Sequence, residues 1–276
     1  LKKDNHFKFL LTIFLSVIGF ILLYSIINNP YEKNDIFLSF IFSVARLVIC
    51  FIFAFFIINL LILTKFTSKQ KISQSYLGPI TNFLTRYGKF AVLILLLISL
   101  YRIADVVMGV MANIFYLEKG YKISEIATFS KFFGVFATIF GGFIGGYCSY
   151  RFGTMKALFF GALIAALSNL LFAWLAVSPI SIDFLIAVIT ADNISSGFAG
   201  AAFVIYLSGL TSIKFTATQY ALFSSIMLFL PKLIAGYAGS WVDVMGYAYF
   251  FSFTAFLGIP VLFLILWIGK VAPIKN

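Results

Sequence analysis

Apolar residues in this chain gather into long uninterrupted blocks, not into the short-period alternation of half-buried strands or helices. The blocks fall at residues 9–28, 36–64, 90–113, 126–147, 157–177, 182–210, 217–240 and 247–269. Each is close to the roughly 20 residues that cross a hydrocarbon core at a helical rise of about 1.5 Å. Backbone groups in lipid must bond within their own segment, so blocks of this kind are helices. Breakers and charges separate them: Asn28-Asn29-Pro30, a polar stretch from Lys65 to Lys89, Glu118-Lys119-Gly120, Arg151-Phe152-Gly153, Ser178-Pro179 and Met245-Gly246. The pattern predicts an all-α polytopic transmembrane helix bundle of about eight spans.

The pattern divides the chain into three parts. Residues 1–64 form two transmembrane helices, and residues 89–276 form a block of six. Between them, 65–88 is polar, with Tyr76, Leu77, Ile80, Phe83, Leu84 and Tyr87 at helical spacing. That spacing predicts an amphipathic helix lying along the cytoplasmic interface. Within the six-span block a motif recurs: Gly146-x-x-x-Tyr150-Arg151-x-Gly153 and, 93 residues later, Gly239-x-x-x-Asp243-x-x-Gly246. Each closes a Gly-rich helix and opens a turn, one facing the cytoplasm and one facing outside, as in the inverted repeats of secondary transporters. The run Gly141-Gly142-x-x-Gly145-Gly146 and the pair Gly236/Ser240 predict close helix contact. Gly142, Gly146, Arg151, Gly153, Gly239, Asp243 and Gly246 are therefore candidates for packing or gating.

Composition agrees: 62% of residues are hydrophobic and only 11% charged. A net charge of +11 raises the question of nucleic acid, but its placement answers it. With the N-terminus in the cytoplasm, thirteen Lys and Arg outside the spans fall inside the cell and only Lys33, Lys119 and Lys122 fall outside. This is the positive-inside asymmetry, and it puts both termini in the cytoplasm of a multi-pass protein whose basic loops meet anionic lipid. No nucleic-acid partner is expected. Cys50 and Cys148 read as small apolar residues, and His6 stands alone, so no metal site or cofactor is expected. No clustered His, Asp or Ser motif of a membrane enzyme is present either.

Candidate chemistry rests on ionisable residues stranded in the spans, each costing about 2.5–3.5 kcal/mol on insertion scales unless paired or wetted. They are Arg46, Arg102, Asp105, Lys131, Asp192 and Lys232. On the third span Arg102, Asp105, Gly109, Asn113 and Tyr116 recur at intervals of three and four, which places them on one face. Arg102 and Asp105 can pair at i,i+3. The pair is either an inert structural ion pair or the wall of a cavity holding a protonatable carboxylate. On the sixth span Asp192, Asn193, Ser195, Ser196, Gly197 and Gly200 make a polar patch. Asp192 needs a partner from another helix, a proton or water, and Lys131 or Lys232 are the candidates. Lys232 follows Pro231, which predicts a kink. Arg46 can snorkel or stack on an aromatic. The surplus of stranded bases favours an anionic substrate, and Tyr101, Tyr116, Tyr206, Tyr220 and Trp174 could stack on sugar faces.

Several of these stretches resemble the AmpG-type muropeptide permeases of the major facilitator superfamily. They are Leu100-Tyr101-Arg102-Ile103-Ala104-Asp105, Ser168-Asn169-Leu170-Leu171-Phe172-Ala173, Asp192-Asn193 leading to Gly200-Ala201-Ala202-Phe203-Val204, and Phe215-Thr216-Ala217-Thr218-Gln219-Tyr220-Ala221-Leu222. The resemblance covers residues 76–269. It implies the C-terminal six-helix half of such a transporter, with residues 9–64 as the two linker helices of that family. It also implies proton-coupled import of anhydromuropeptides, amphipathic anionic sugar-peptides, across a bacterial inner membrane. The sequence departs from the family where it begins, with Leu and without an N-terminal half, which points to part of a longer protein, to a split gene needing that half as partner, or to a chain nonfunctional alone. Tyr150 stands where the superfamily loop motif has an acid, and Asp192 stands where Glu is expected. A related branch carries acetyl-CoA, an alternative cargo. The expected roles are substrate binding for Arg102, Asn113, Tyr116, Lys131, Asn193 and Lys232, and proton coupling for Asp105 and Asp192.

Overall fold

The computed structural model describes residues 2–31, 36–72 and 77–272. Among them there is no strand, and eight helical segments are long and apolar enough to cross a membrane. The all-α polytopic architecture is as the apolar blocks predict. Two compact units divide between Asn82 and Phe83.

The first unit holds α1 (Lys2–Ile26), α2 (Ile36–Leu63), the short α3 (Lys69–Ile72) and the start of α4 (Gly78–Tyr87). α1 and α2 form an antiparallel hairpin. Phe20 meets Phe51 at a centroid distance of 5.0 Å, and a side chain on Gly19 would collide with Ile57. Nearer the connection, the Asn29 amide donates to the Ser39 and Ser43 hydroxyls at 2.9 and 3.1 Å. Arg46 lies 3.6 Å from the Tyr24 ring centroid, and its Nε donates to the Tyr24 carbonyl at 3.1 Å. That carbonyl is in the last turn of α1, where no later amide reaches it. Arg46 thus stacks on an aromatic, one of its two expected states, and caps a helix end while doing so. Within the polar stretch 65–88, where Lys65 has a left-handed conformation (φ 58°), the expected helical spacing falls on α4, which carries Ile80, Phe83, Leu84 and Tyr87. Tyr76 of that expected helix lies outside the described residues.

The second unit contains α5 (Ala91–Leu100), α6 (Ile103–Lys119), α7 (Ile123–Ile126), α8 (Gly134–Phe152), α9 (Thr154–Val177), α10 (Ile182–Leu210), α11 (Thr216–Ala235), α12 (Ala238–Phe256) and α13 (Gly258–Val271). A π-helical stretch, Ala127–Phe133, joins α7 to α8. α9 is the hub, packing on α6, α8, α10, α12 and α13. The core is aromatic: Phe172 touches Phe251 at 5.2 Å and Tyr116 at 5.9 Å, and Phe251 meets Phe115 at 5.0 Å. Tyr101 stacks on Phe203 at 4.4 Å with its planes 11° apart.

Chain reversals fall where the repeated motif predicts. Gly153 separates α8 from α9 with φ 92° and ψ 149°, and Gly246 has φ 77° and ψ 164°. This combination is open almost only to glycine. Trp241 and Phe253 lie on either side of Gly246 with their rings 5.4 Å apart. On a straight helix twelve residues would separate them by about 18 Å, so α12 is a hairpin folded at Gly246. The seventh span is then α11 followed by the residues of α12 before Gly246, interrupted at Gly236-Tyr237, and not 217–240. Pro231 lies inside α11 four residues before its end, where it removes one helical bond.

The two turns sit at opposite ends of the unit. Gly153 begins α9. At the far end of α9, Lys119 donates to the carbonyls of Ala176 (3.1 Å) and Ser178 (2.7 Å), and neighbouring Glu118 accepts from the Tyr247 hydroxyl at 2.9 Å, next to Gly246. α9 is 24 residues long, about 36 Å of helix. At the Lys119 end the Tyr121 hydroxyl donates to the Ser181 carbonyl at 3.0 Å. Burial raises the Tyr121 phenol above its ordinary value, against the lowering effect of that bond.

Candidate functional site

α10 carries the strongest polar interruption of any span, and its faces meet different neighbours. Toward α8 the contact is backbone on backbone. A Cβ on Gly141 would collide with the Ile194 carbonyl, one on Gly145 would lie 2.5 Å from the Phe198 carbonyl oxygen, and one on Gly197 would collide with the Thr138 carbonyl. The Thr138 hydroxyl bonds Asn193 Oδ1 at 2.9 Å, and the Asn193 amide donates to the Ile189 carbonyl at 2.8 Å. Close helix contact through small residues was expected, but the glycines that make it are Gly141, Gly145 and Gly197. Gly142 only borders the seam, while a Cβ on Gly146 or Gly239 would meet nothing within 4 Å. Arg151 and Asp243 are exposed beside their turns. Asn193, expected to bind substrate, has its amide engaged in the α8–α10 seam.

Toward α6 the contact is made by long charged side chains. The third span breaks between α5 and α6 at Tyr101-Arg102, where Arg102 has φ −97° and ψ 10°. Asp105 therefore sits in the first turn of α6, where unpaired amides and the helix dipole favour an anion. Arg102 Nε lies 3.1 Å from Asp105 Oδ2, with the two side chains 23% and 13% exposed. The contact is ionic without hydrogen-bond alignment, since the Nε hydrogen has no acceptor. The guanidinium extends across to α10, where Nη2 donates to the Ser196 hydroxyl at 3.2 Å and Nη1 lies over Gly200. Asp192, one turn before Ser196, is within electrostatic reach of both Asp105 and Arg102. One base thus stands among two carboxylates and a hydroxyl.

This cluster opens on one side and is backed on the other. Along α6 a Cβ on Gly109 would meet nothing within 4 Å, and Asn113 is exposed. Behind it, the buried Asn169 donates to the Ala104 carbonyl and to Thr254 Oγ1, both at 3.3 Å, while its own Oδ1 has no partner. Ser168 and Ser195 share a 3.1 Å bond, and Ser195 donates to the Asp192 carbonyl at 2.8 Å. These α9 and α10 residues brace the helix that carries Asp192.

Other candidates lie apart. Tyr116 is 3% exposed and stacked on Phe172, so its ring belongs to the core and not to the open face of α6. Tyr101 and Tyr206 are also buried, and the Tyr101 hydroxyl donates to the Leu158 carbonyl at 3.2 Å. None of the three offers a free face for a sugar. Lys131, in the π-helical stretch, and Lys232, after Pro231, are exposed. Among the described residues the ion pair is Arg102–Asp105, so neither lysine pairs with Asp192 as expected. Ser196 belongs to the polar patch of α10 and, unlike Asp192 and Asn193, is not among the expected site residues. Its signal was the i,i+4 spacing from Asp192 on an apolar helix.

No family model matches the chain. Its sequence is nevertheless similar to curated proteins of known name. A protein of Rickettsia felis named "Putative transporter AmpG 4" is 34% identical over 258 residues, 91% of this chain and 60% of that protein. Its namesake in Rickettsia conorii is 35% identical over 77% of this chain and 49% of its own length. This chain is a relative of the AmpG transporters. The protein named "Putative transporter AmpG 1" in Rickettsia bellii is 34% identical over 68% of the chain and 46% of that protein. The chain therefore spans about half to three-fifths of the length of these relatives. The AmpG resemblance read from the sequence motifs agrees with these names, and the helical bundle is that of a multi-pass membrane protein.

Proposed function

We propose that this chain is the C-terminal part of a secondary active transporter that imports anhydromuropeptides across a bacterial inner membrane by proton coupling. The observation that carries the reading is the Arg102 guanidinium held between Asp105 on α6 and Ser196 on α10, with Asp192 in reach and the α6 face open beyond it. Ion pairs dispersed for packing alone would be closed on all sides; a wall that opens over Gly109 and Asn113 suits a wet cleft. Arg102 offers donors for a substrate carboxylate in the forked geometry that favours bidentate binding. A proton on Asp105 would release the guanidinium from its internal partner and make it available to cargo, and one on Asp192 would remove a second neighbouring charge.

An N-terminal half of the major facilitator type completes the cleft in this proposal, and the two halves rock about a site near the midplane. Both termini face the cytoplasm, consistent with the basic residues of the loops. The test is uptake of labelled anhydromuropeptide by cells making this chain together with an N-terminal half. Asp105→Asn should cut proton-driven uptake sharply, and a competing excess of acetyl-CoA should leave uptake by the unaltered pair intact. Unchanged uptake by the Asn variant would remove Asp105 from the mechanism.

A further inference from the structure

A hollow of about 470 Å³ lies between α8 and α9 with α10 beneath it, away from the Arg102 cluster and unused by the transport reading. Cys148 and Phe152 line it from α8, Phe198 from α10, and Lys156, Phe160 and Ile164 from α9. The α9 residues follow one another at intervals of four, so they form a stripe running inward from the Gly153 turn. Lys156 stands at the mouth in the first turn of α9, with Phe160 about 6 Å and Ile164 about 12 Å deeper. Phe152 and Phe160 are 57% and 53% exposed, so the groove opens sideways along the length of the helices. Lys156 is exposed, as is Arg151 at the same end. From Ile126 to Ile182 the sequence contains no Asp or Glu. An anion at this mouth meets Lys156 and no carboxylate on either helix.

We propose that this groove binds an anionic phospholipid, with its phosphate on Lys156 and one acyl chain lying along Phe160 and Ile164 over Phe198. A membrane helix pair leaves such an apolar furrow to lipid, and the basic mouth selects the headgroup. Near an anionic surface one lysine contributes about 1 kcal/mol, roughly a fivefold preference for the anionic lipid.

The experiment replaces Trp174, Trp241 and Trp267 with Phe and installs Phe160→Trp in the whole chain, then reconstitutes it with brominated-chain lipids. Brominated phosphatidylglycerol should quench the tryptophan at about one-fifth the mole fraction needed for brominated phosphatidylcholine. Lys156→Gln should bring the two lipids to parity. Equal quenching with Lys156 present would overturn the proposal by reducing the groove to ordinary annulus. Absence of quenching by either lipid would overturn it too, since protein then fills the furrow. Should the multiple replacement fail to fold, native mass spectrometry of the unaltered chain released from mixed bilayers gives the same answer: phosphatidylglycerol adducts retained, and lost in Lys156→Gln. Equal adducts in both would reject the assignment.

Discussion

α10 is built against two neighbours in opposite ways. Against α8 the separation is set by glycine, the carbonyls of one helix lie where the other would place a Cβ, and the Thr138–Asn193 bond closes the seam. Toward α6 the link is the Arg102 side chain, paired with Asp105 and donating to Ser196, with Asp192 in electrostatic reach; these are side chains that can be displaced, protonated or wetted. Glycine contact gains dispersion and tolerates no insertion. A charged contact inside a membrane bundle is sustained by pairing or by water. One helix thereby serves as the fixed wall of one interface and the responsive wall of the other.

Substitutions should separate the two kinds of contact. Gly141→Val forces a branched side chain into the Ile194 carbonyl and should cost about 3 kcal/mol or more, read as loss of the monodisperse peak in detergent. Arg102→Ala should leave that peak in place yet reduce uptake roughly thirtyfold or more, since removing one member of a partly buried charge pair costs about 2–5 kcal/mol. If Arg102→Ala lost only the folded fraction and not transport per folded molecule, the pair would be structural. Gly246→Ala should cost about 1–3 kcal/mol from backbone strain, with Gly153→Ala similar, as shifts in thermal unfolding. Asn193→Ala should cost about 0.6 kcal/mol, the usual worth of a hydrogen bond between membrane helices, and leave uptake little changed. Gly146→Ala, five residues from Gly141 but facing open space, should change stability by less than about 1 kcal/mol in either direction.

The contrast between Gly141 and Gly146 also marks the limit of what the sequence discloses. The spans, the Gly153 and Gly246 turns and the Arg102–Asp105 pair follow from short-range rules: block length, backbone freedom and i,i+3 spacing. Which edge of a glycine run faces a neighbour depends on helix rotation, and one residue is about 100°. The run Gly141-Gly142-x-x-Gly145-Gly146 was legible as a contact, but the choice of Gly141 and Gly145 over Gly142 and Gly146 was not. Tyr116 shares a helical face with Asp105 by spacing, yet Phe172 on another helix draws its ring into the core. Asp192 needs a partner, and charge points to Lys131 and Lys232, both of which are exposed. Arg102, at the break between α5 and α6, instead bonds Ser196 one turn from Asp192, a feature no periodicity announces.

The account stands on water reaching the α6 face between Arg102 and Asn113. The direct measurement is labelling of Gly109→Cys by a membrane-impermeant, water-borne thiol reagent, with Cys50 and Cys148 replaced by Ser and the chain assembled with an N-terminal half. Phe263→Cys, at a position 68% exposed on α13, reports the lipid side. The account predicts rapid labelling at 109, slowed by anhydromuropeptide, and none at 263. Equal inertness at both positions would contradict it, leaving the charged cluster as a dry strut within the bundle.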